Sequence, residues 1–318
     1  MKQSKKILIA NRGVIAIRAL RAARELGYSV ASVYSTIDRD QKHLKLSDEA
    51  ICIGPPETKD SYLNEAAIIS AAELSGADAI YPGFGFLAEN ASFAEKCRES
   101  GFKFIGPDPQ VIAIMGDKIK AKELAKSLNI PVVPGYEGEI STENEAIKIV
   151  EEIGYPVIIK ASAGGGGRGM RVVNSSDELW QSIQSAQNEA ELAFGDGKIF
   201  IEKYLKKPRH IEVQIFGNGK GEAVHLFTRD CSLQRKYQKI VEEAPALNID
   251  NQKLEEIQNL SVEACKKLNY EGAGTIEFLY ENNDFYFIEM NTRIQVEHTV
   301  TETVSYTHLT LPTTDRGF

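Results

Sequence analysis

Residues 157–173 read VIIKASAGGGGRGMRVV, and this stretch decides the fold because two strand-like runs enclose a run of glycines. A Rossmann fingerprint needs a helix after its glycines and a P-loop needs Gly-Lys-Ser/Thr, so the sequence excludes both of those nucleotide-binding folds. Two strands joined by a glycine loop instead predict a mobile flap whose backbone N–H groups can close on phosphates. A flexible hairpin tip is the alternative, and Lys160 at the end of the first strand favours phosphate binding.

The chain before this flap alternates short apolar runs with helical patterns. Residues 7–10 are strand-like, residues 15–26 have a helical period, residues 30–34 are strand-like again, and the alternation continues to about residue 105. This order predicts a doubly wound parallel sheet with helices on both faces. Such sheets bind ligands beyond the carboxyl ends of their strands, which draws attention to the turn at residues 11–13.

From Lys118 onward the pattern changes. Helical periods lead into strand-like segments joined by turns, which predict mostly antiparallel pairing. A long helix at residues 252–268 then precedes two aromatic-rich strands at residues 274–280 and 285–291. We therefore expect an α/β part followed by an α+β part.

Composition excludes several classes of protein. The 318 residues carry a formal net charge of −8, which opposes broad contact with a phosphate backbone, so we expect no nucleic-acid partner. The four cysteines form no C-x-x-C pair, which argues against a zinc site or a disulfide framework and fits a reducing compartment. No run is apolar and long enough for a signal peptide or a membrane span. We expect a cytoplasmic protein without a membrane partner.

An acid pair is predicted from the geometry of the last two strands. If residues 282–284 form a three-residue hairpin loop, the register sets Glu277 directly across from Glu289, with Asn291 on the same face. Opposed carboxylates destabilise a hairpin unless a cation compensates, and three oxygen ligands suit Mg²⁺ shared with nucleotide phosphates. The alternative is that one acid points to solvent, and a two-residue loop would break this register.

Two further segments could contribute to the same site. Alternation along residues 201–205 puts Glu202 on one strand face and Lys203 and Leu205 on the other, a mixture that can line an adenine slot, although most such segments are edge strands. Beyond the acid pair, Arg293 could bind a small planar anion and Glu297 could take a proton from it. A solvated surface loop is the alternative for this polar run.

With these residues in view, the sequence closely resembles biotin carboxylases, the ATP-grasp domain of acetyl-CoA, propionyl-CoA and pyruvate carboxylases. The resemblance covers residues 5–302. The matching motifs are IANRG at residues 9–13, YPGFGFLAEN at 81–90, MGDK at 115–118, GGGGRGM at 164–170, RDCS at 229–232, GAGT at 272–275 and EMNTRIQVEH at 289–298.

The resemblance implies the activity, the domains and the roles of individual residues. It implies ATP-dependent carboxylation of carrier-bound biotin by bicarbonate through carboxyphosphate, with Mg²⁺ or Mn²⁺, and with a biotin carboxyl carrier and carboxyltransferase subunits as partners.

The implied domains are a Rossmann-like domain at residues 1–115 and an ATP-grasp domain at 116–304, with a lid at about 132–204. The implied site residues are Glu277, Glu289 and Asn291 for the metal; Lys239, Arg293, Gln295 and Val296 for bicarbonate; Glu297 as the general base, with Lys239 and Arg293 also catalytic; and Lys118, Lys160, Gly164, Gly165, Gly166, Gly167, Gly169, Glu202, Lys203, Leu205, His210 and Gln234 for ATP.

Departures from the family pattern leave alternatives open. Val14 stands where Glu is usual and Tyr237 where His is common, which affects the expected subunit interface and nucleotide edge. After about Val304 the family continues with a C-terminal domain that completes the cleft and forms a homodimer, whereas residues 305–318 match no family pattern. We therefore expect a C-terminally truncated chain whose last 14 residues lack a packed role. A nucleotide-binding fragment without turnover and another ATP-grasp ligase are the alternative functions.

Overall fold

A five-stranded parallel sheet forms the N-terminal part of the protein. The computed structural model describes residues 5–136, 138, 140–161, 170–194, 197–235 and 238–310. The sheet has the order β3-β2-β1-β4-β5, with β1 (Lys6–Ile9), β2 (Ser29–Ser35), β3 (Glu49–Gly54), β4 (Ala79–Tyr81) and β5 (Lys103–Phe104). Its helices are α1 (Gly13–Glu25), α2 (Lys42–Leu46), α3 (Glu65–Ser75), α4 (Ala91–Glu99) and α5 (Pro109–Gly116). The predicted doubly wound sheet is confirmed.

The loop after β4 is held at both ends by asparagine side chains. The buried amide of Asn11 donates hydrogen bonds to the carbonyl oxygens of Pro82 (2.7 Å) and Phe84 (2.8 Å). At the other end, Asn90 caps α4 by accepting a hydrogen bond from a first-turn N–H. Glu89 directly precedes this cap, so both anchors fix where its carboxylate projects.

The turn at residues 11–13 is occupied by protein contacts. Arg12 forms an ion pair of 2.9 Å with Asp38, which also accepts hydrogen bonds from the hydroxyls of Ser35 (2.9 Å) and Tyr62 (2.8 Å). Burial opposes ionisation of Asp38, but these hydrogen bonds and the Arg12 charge lower its pKa. The turn after β1 is therefore tied by Arg12 to Asp38, in the segment that follows β2.

Two antiparallel sheets form the rest of the chain. The smaller has the order β6-β9-β7-β8 and the larger β12-β11-β10-β13-β14, so the predicted change to antiparallel pairing is confirmed. The strands are β6 (Gly135–Tyr136), β7 (Val157–Ala161), β8 (Arg171–Val173), β9 (Ile199–Lys203), β10 (Arg209–Asn218), β11 (Ala223–Arg235), β12 (Gln238–Glu243), β13 (Glu271–Glu281) and β14 (Asp284–Asn291). The helices are α6 (Lys118–Ser127), α7 (Glu143–Ile153), α8 (Ser176–Phe194), α9 (Asn251–Lys267) and α10 (His298–Thr310).

Each antiparallel sheet has its own core. Apolar side chains of α6 and α9 pack on one face of the larger sheet, around Phe278 on β13 and Ile211 on β10. The smaller sheet packs on α7 and α8, with Val157 and Ile201 fully buried. The opposite face of the larger sheet carries polar side chains, and this face positions the site.

The hairpin of β13 and β14 reaches the expected pairing by an unexpected route. Its loop has two residues, Asn282 and Asn283, both with positive φ (54° and 69°) as a type I′ turn requires, so the predicted three-residue loop is wrong. A β-bulge at Ile288 then shifts the register by one residue. Glu277 consequently lies opposite Glu289, as predicted.

The last described residues are helical. Helix α10 continues through residues 305–310, and Ser305 is half-buried with its hydroxyl lacking a partner among the described residues. Residues 311–318 lie outside the described part, so their expected lack of a packed role stays a prediction, as does the division at residues 115 and 116. Among the described residues, no helix combines the length and apolar character needed to cross a bilayer.

Candidate active site

A network of buried charges covers the polar face of the larger sheet. Alternation along β10 brings His210 and Glu212 to this face, and β11 and β13 add Arg229 and Glu277 beside them. Lys239 reaches the network from the edge strand β12. The connection between β14 and α10 contributes Gln295 and Glu297.

The charges in this network are balanced. Lys239 contacts all three buried acids: its ammonium lies 3.0 Å from Glu277, 2.7 Å from Glu297 and against Glu212. Arg229 donates to Glu212 at 2.8 and 3.0 Å. His210 donates to Glu277 at 2.7 Å. Three carboxylates thus face three cations, which offsets the cost of burying each charge.

The titration behaviour of these groups follows from that pairing. Burial disfavours the charged form of His210, but its contacts with Glu212 and Glu277 outweigh burial and raise its pKa to about 9. The pKa of Lys239 is raised against burial by the charges of Glu277 and Glu212. Burial alone would raise the pKa of Glu277, yet the hydrogen bond from His210 and the Lys239 charge lower it. At neutral pH these groups are therefore all charged.

Glu289 differs from the other acids in this region. Among the described residues it has no hydrogen bond or ion-pair partner, and it lines a cavity of about 310 Å³ together with Lys118, Glu89, Asn291 and Arg293. Burial, and next the negative charge of Glu277, raise the pKa of Glu289, while Lys118 opposes them. A divalent cation would relieve this repulsion, so an unpartnered acid beside an amide oxygen fits Mg²⁺ or Mn²⁺.

Arg293 is held in place by two different parts of the chain. Its Nε donates to Glu89 (2.7 Å), and its Nη2 donates to Asn291 (2.9 Å). The second oxygen of Glu89 accepts the backbone N–H of Thr292 at 3.1 Å. The loop that Asn11 anchors therefore fixes the guanidinium group at the mouth of the cavity.

A second charged cluster joins α6 to the smaller sheet. The buried carboxylate of Glu202 accepts hydrogen bonds from Lys160 (2.6 Å) and from Lys122. Both ammonium groups also lie over the ring of Phe200, at 5.7 and 4.8 Å. Burial opposes ionisation of Glu202, but the charges of Lys160 and Lys122 lower its pKa. Glu202 is thus an anion bound by two cations.

Both parts of the chain match known protein families. Residues 3–112 match the family model described as "Biotin carboxylase, N-terminal domain", and residues 117–311 match "Carbamoyl-phosphate synthase L chain, ATP binding domain". Biotin carboxylase of Pseudomonas aeruginosa is 55% identical over 94% of this chain and 67% of its own length. That of Haemophilus influenzae is 56% identical over the same shares. The chain belongs to the biotin carboxylase family.

Solved structures of family members superpose on most of the chain. A biotin carboxylase–β-γ-ATP complex from Campylobacter jejuni is 51% identical and has a TM-score of 0.85, covering 94% of this chain and 68% of that one. The biotin carboxylase domain of 2-oxoglutarate carboxylase from Hydrogenobacter thermophilus, a dimer with MgADP, ADP and bicarbonate, is 48% identical, with a TM-score of 0.83 over 96% and 67% of the two chains. The chain thus spans about two thirds of the length of these biotin carboxylases.

Ten of the expected site residues lie around the charged network and the cavity, and Lys160 and Glu202 lie in the second cluster. His210 and Gln234 are in contact (3.0 Å), and Gln295 donates to Glu277 (2.7 Å). Lys203 is turned away, because its ammonium donates to the carbonyl oxygens of residues 154 and 155 at 2.8 and 2.9 Å. Leu205 is half-buried. Among the remaining expected residues, Val296 is exposed, and Gly164, Gly165, Gly166, Gly167 and Gly169, like Tyr237, lie outside the described residues.

Four further residues of the two charged clusters and the cavity were not predicted from the sequence. Glu212 lies two residues after His210 on the same strand, so strand alternation alone would have placed both side chains on one face. Glu89 and Arg229 lie inside the family motifs at residues 81–90 and 229–232 but carry no local signal of their contacts. Lys122 follows Lys118 by one helical turn, and only the packing of α6 shows that it reaches Glu202.

Proposed function

We propose that the chain catalyses the ATP-dependent carboxylation of biotin by bicarbonate, giving ADP and phosphate. One observation carries this proposal: Lys239, Gln295 and Glu297 converge on the buried network. Asn291 links that network to the cavity lined by Lys118 and Glu289, since its amide donates to Glu277 at 2.7 Å. A base, a cation and an amide donor thus lie next to a cavity suited to phosphate and metal.

Glu297 acts as the general base in the proposed reaction. It removes the proton of bicarbonate, which Lys239, Gln295, Arg293 and the backbone at Val296 would hold. An oxygen of the resulting anion forms a bond to the γ-phosphorus of ATP, and the bond from that phosphorus to ADP breaks. The Lys239 ammonium, 2.7 Å from Glu297, supplies the charge that keeps this anion beside the base.

Cations offset the charge of the phosphates in this step. Lys118 lines the cavity, and Lys160 could reach a phosphate by leaving Glu202, since Lys122 would still neutralise that acid. Glu277, Glu289 and Asn291 would hold Mg²⁺ or Mn²⁺, which spreads the negative charge of the phosphates when bound. The remaining nucleotide contacts would come from Gly164, Gly165, Gly166, Gly167, Gly169, Glu202, Lys203, Leu205, His210 and Gln234.

Carboxyphosphate breaks down to CO₂ and phosphate, and that phosphate takes the proton of the biotin ring nitrogen as the nitrogen bonds to CO₂. Water must be excluded until then, because it would hydrolyse the intermediate. Arg293 would stabilise the enolate-like form of biotin, and its contacts with Glu89 and Asn291 hold it ready for that role. Preorganisation matters because a donor already oriented by the protein loses no free energy in turning toward the developing charge.

The biotin would be carried by a biotin carboxyl carrier and passed to a carboxyltransferase. Such partners are supported by two relatives whose names describe them as parts of larger carboxylases: a pyruvate carboxylase subunit of Methanothermobacter thermautotrophicus (51% identical) and the alpha subunit of methylcrotonoyl-CoA carboxylase from Glycine max (52%). A dimer is described for the Hydrogenobacter thermophilus domain. We extend homodimer formation, a carrier partner and a cytoplasmic location to this chain as parts of the same proposal.

Bicarbonate-dependent ATP hydrolysis tests the proposal directly. We expect phosphate release from MgATP to rise when bicarbonate is added and to rise further with free biotin. Binding of ATP without any response to bicarbonate would contradict the proposal and leave a nucleotide-binding fragment. Hydrolysis that responds to neither compound would contradict it as well.

A substitution at the base sharpens this test. Glu297→Gln keeps the size of the side chain but removes the base, and we expect bicarbonate-dependent turnover to fall by a factor of about 100 or more. The matched control is Glu302→Gln, five residues further along, where the half-exposed side chain pairs with Arg18 (3.2 Å) and His298 (2.8 Å). Equal losses in the two variants would show that Glu297 is not the base.

A further inference from the structure

Arg229 is a fully buried cation whose contacts span four elements. Its side chain is 0% exposed. Besides Glu212 on β10, the guanidinium group donates to side chains on β10, β13, the β14–α10 connection and α10. These contacts are Gln214 Oε1 at 2.6 Å, Thr275 Oγ1 at 3.1 Å, Gln295 Oε1 at 2.5 Å and Thr301 Oγ1 at 2.9 Å. A planar fork with five donors suits this arrangement, whereas an ammonium group could not reach all the acceptors.

One of these contacts fixes the orientation of an amide. A glutamine side chain can rotate its amide so that oxygen and nitrogen exchange places. Because Arg229 can only donate, it holds Oε1 of Gln295, and the nitrogen must then face Glu277, to which it donates at 2.7 Å. The second amide hydrogen has no partner among the described residues and can donate a hydrogen bond to an anion.

A second contact orients a cation. Arg229 binds Oε2 of Glu212, at 3.0 Å from Nε and 2.8 Å from Nη2. Oε1 of the same carboxylate contacts the ammonium of Lys239 and lies 3.5 Å from Nε2 of His210. Arg229 therefore orients one of the three carboxylates that hold Lys239.

We propose that Arg229 is a positioning residue of the bicarbonate site, orienting the Gln295 amide directly and the Lys239 ammonium through Glu212. The inference rests on the proposed function, because it assigns Gln295 and Lys239 to bicarbonate. Arg229 is enclosed by protein side chains and touches no substrate. It contacts Gln295 directly and reaches His210, one of the expected ATP residues, only through Glu212, so its loss affects bicarbonate more than ATP.

The test uses Arg229→Lys, which keeps the charge but replaces the planar fork with a single ammonium group. We expect the KM for bicarbonate to rise by about tenfold or more, the effect of losing one hydrogen bond to a charged group, with a clearly smaller change in the KM for ATP. The matched control is Arg209→Lys. Arg209 lies on β10 and binds Asp230 at 2.6 Å without contacting Gln295 or Lys239. This control should leave both KM values unchanged.

A second variant guards against failure of the first to fold. Thr275→Val is nearly isosteric and removes only the Thr275 hydroxyl, one of three acceptors of Nη2, the nitrogen that holds Gln295. We expect its bicarbonate KM to rise by about threefold, with a smaller change in the KM for ATP. An unchanged bicarbonate KM in both variants, a parallel rise for ATP, or the same rise in Arg209→Lys would overturn the proposal.

A crystal structure of Arg229→Lys separates this inference from the proposed function. We expect the Gln295 amide to lose its contact with Glu277 in that variant and to keep it in Arg209→Lys. If ATP hydrolysis by the wild type does not respond to bicarbonate, the proposed function is wrong. The crystal structures alone then show whether Arg229 orients the Gln295 amide. A Gln295 amide that still donates to Glu277 in the lysine variant would refute the positioning role.

Discussion

The two lysines on Glu202 predict a non-additive loss of stability. The ammonium of Lys160 lies 2.6 Å from the carboxylate, which at an effective dielectric constant of about 20 corresponds to roughly 6 kcal/mol of attraction before desolvation is subtracted. Replacing either lysine by Met keeps the aliphatic stem and leaves one cation on the acid. We therefore expect each of Lys122→Met and Lys160→Met to cost about 1 kcal/mol in the free energy of unfolding.

The double variant should cost more than the two single losses together. It leaves the Glu202 carboxylate, only 5% exposed, without either lysine, and an unpaired buried charge costs about 3–5 kcal/mol. The expected coupling is therefore about 1–3 kcal/mol. Urea unfolding followed by fluorescence measures it, because the one tryptophan, Trp180, packs against the core of the same sheet.

The pH dependence of the variants gives a second check. In the wild type the pKa of Glu202 is lowered, so this acid stabilises the protein above pH 4.5 and the contribution is lost as the pH falls through its lowered folded value. In the double variant only burial remains, which raises the pKa. Its deficit relative to wild type should therefore shrink between pH 7 and pH 5. Additive losses with no such pH dependence would refute this account, and Lys126→Met, exposed on the same helix, serves as the control.

Other predictions concern the metal, the contact between Glu89 and Arg293, and a buried histidine. Because the pKa of Glu289 is raised, protons should compete with Mg²⁺, so calorimetry should show metal-dependent ATP binding weakening as the pH falls, with Glu289→Gln removing the dependence on metal. Glu89→Gln should raise the KM for bicarbonate by about tenfold through loss of its charged contact with Arg293. An unchanged KM would show that this contact does not position Arg293 for bicarbonate. His43 is fully buried, and burial lowers its pKa, so the protein should lose stability as the pH falls below 6.5, and His43→Leu should flatten that part of a thermal unfolding profile.

The order of elements was predictable because local patterns determine it. The alternation of apolar runs and helical periods before residue 105 indicated a parallel sheet, and the five strands there do pair in parallel. The opposition of Glu277 and Glu289 was also predicted correctly, although through a wrong loop. The pair Asn282-Asn283 was the available signal, since Asn tolerates positive φ at both central positions of a two-residue turn.

Contacts between distant segments were not predictable from the sequence alone. Arg229 and Gln295 are 66 residues apart, and Glu89 and Arg293 are 204 apart, so no periodicity relates them. The sequence predicts only a phosphate contact for Lys160, whereas the structure pairs this lysine with Glu202. Such pairings depend on how α6 and the two sheets pack, which is decided by tertiary structure.

The turn and the bulge in the last hairpin have a consequence for insertions and deletions. The bulge adds one residue, Ile288, to β14 between Phe287 and Glu289, whereas β13 has no residue between Phe278 and Glu277. Deleting Ile288 would place Glu289 directly after Phe287 and would still leave it opposite Glu277. Inserting a residue between the turn and Glu289 would move Glu289 out of alignment unless a second bulge formed. The second strand of this hairpin should therefore tolerate the loss of one residue better than the gain of one.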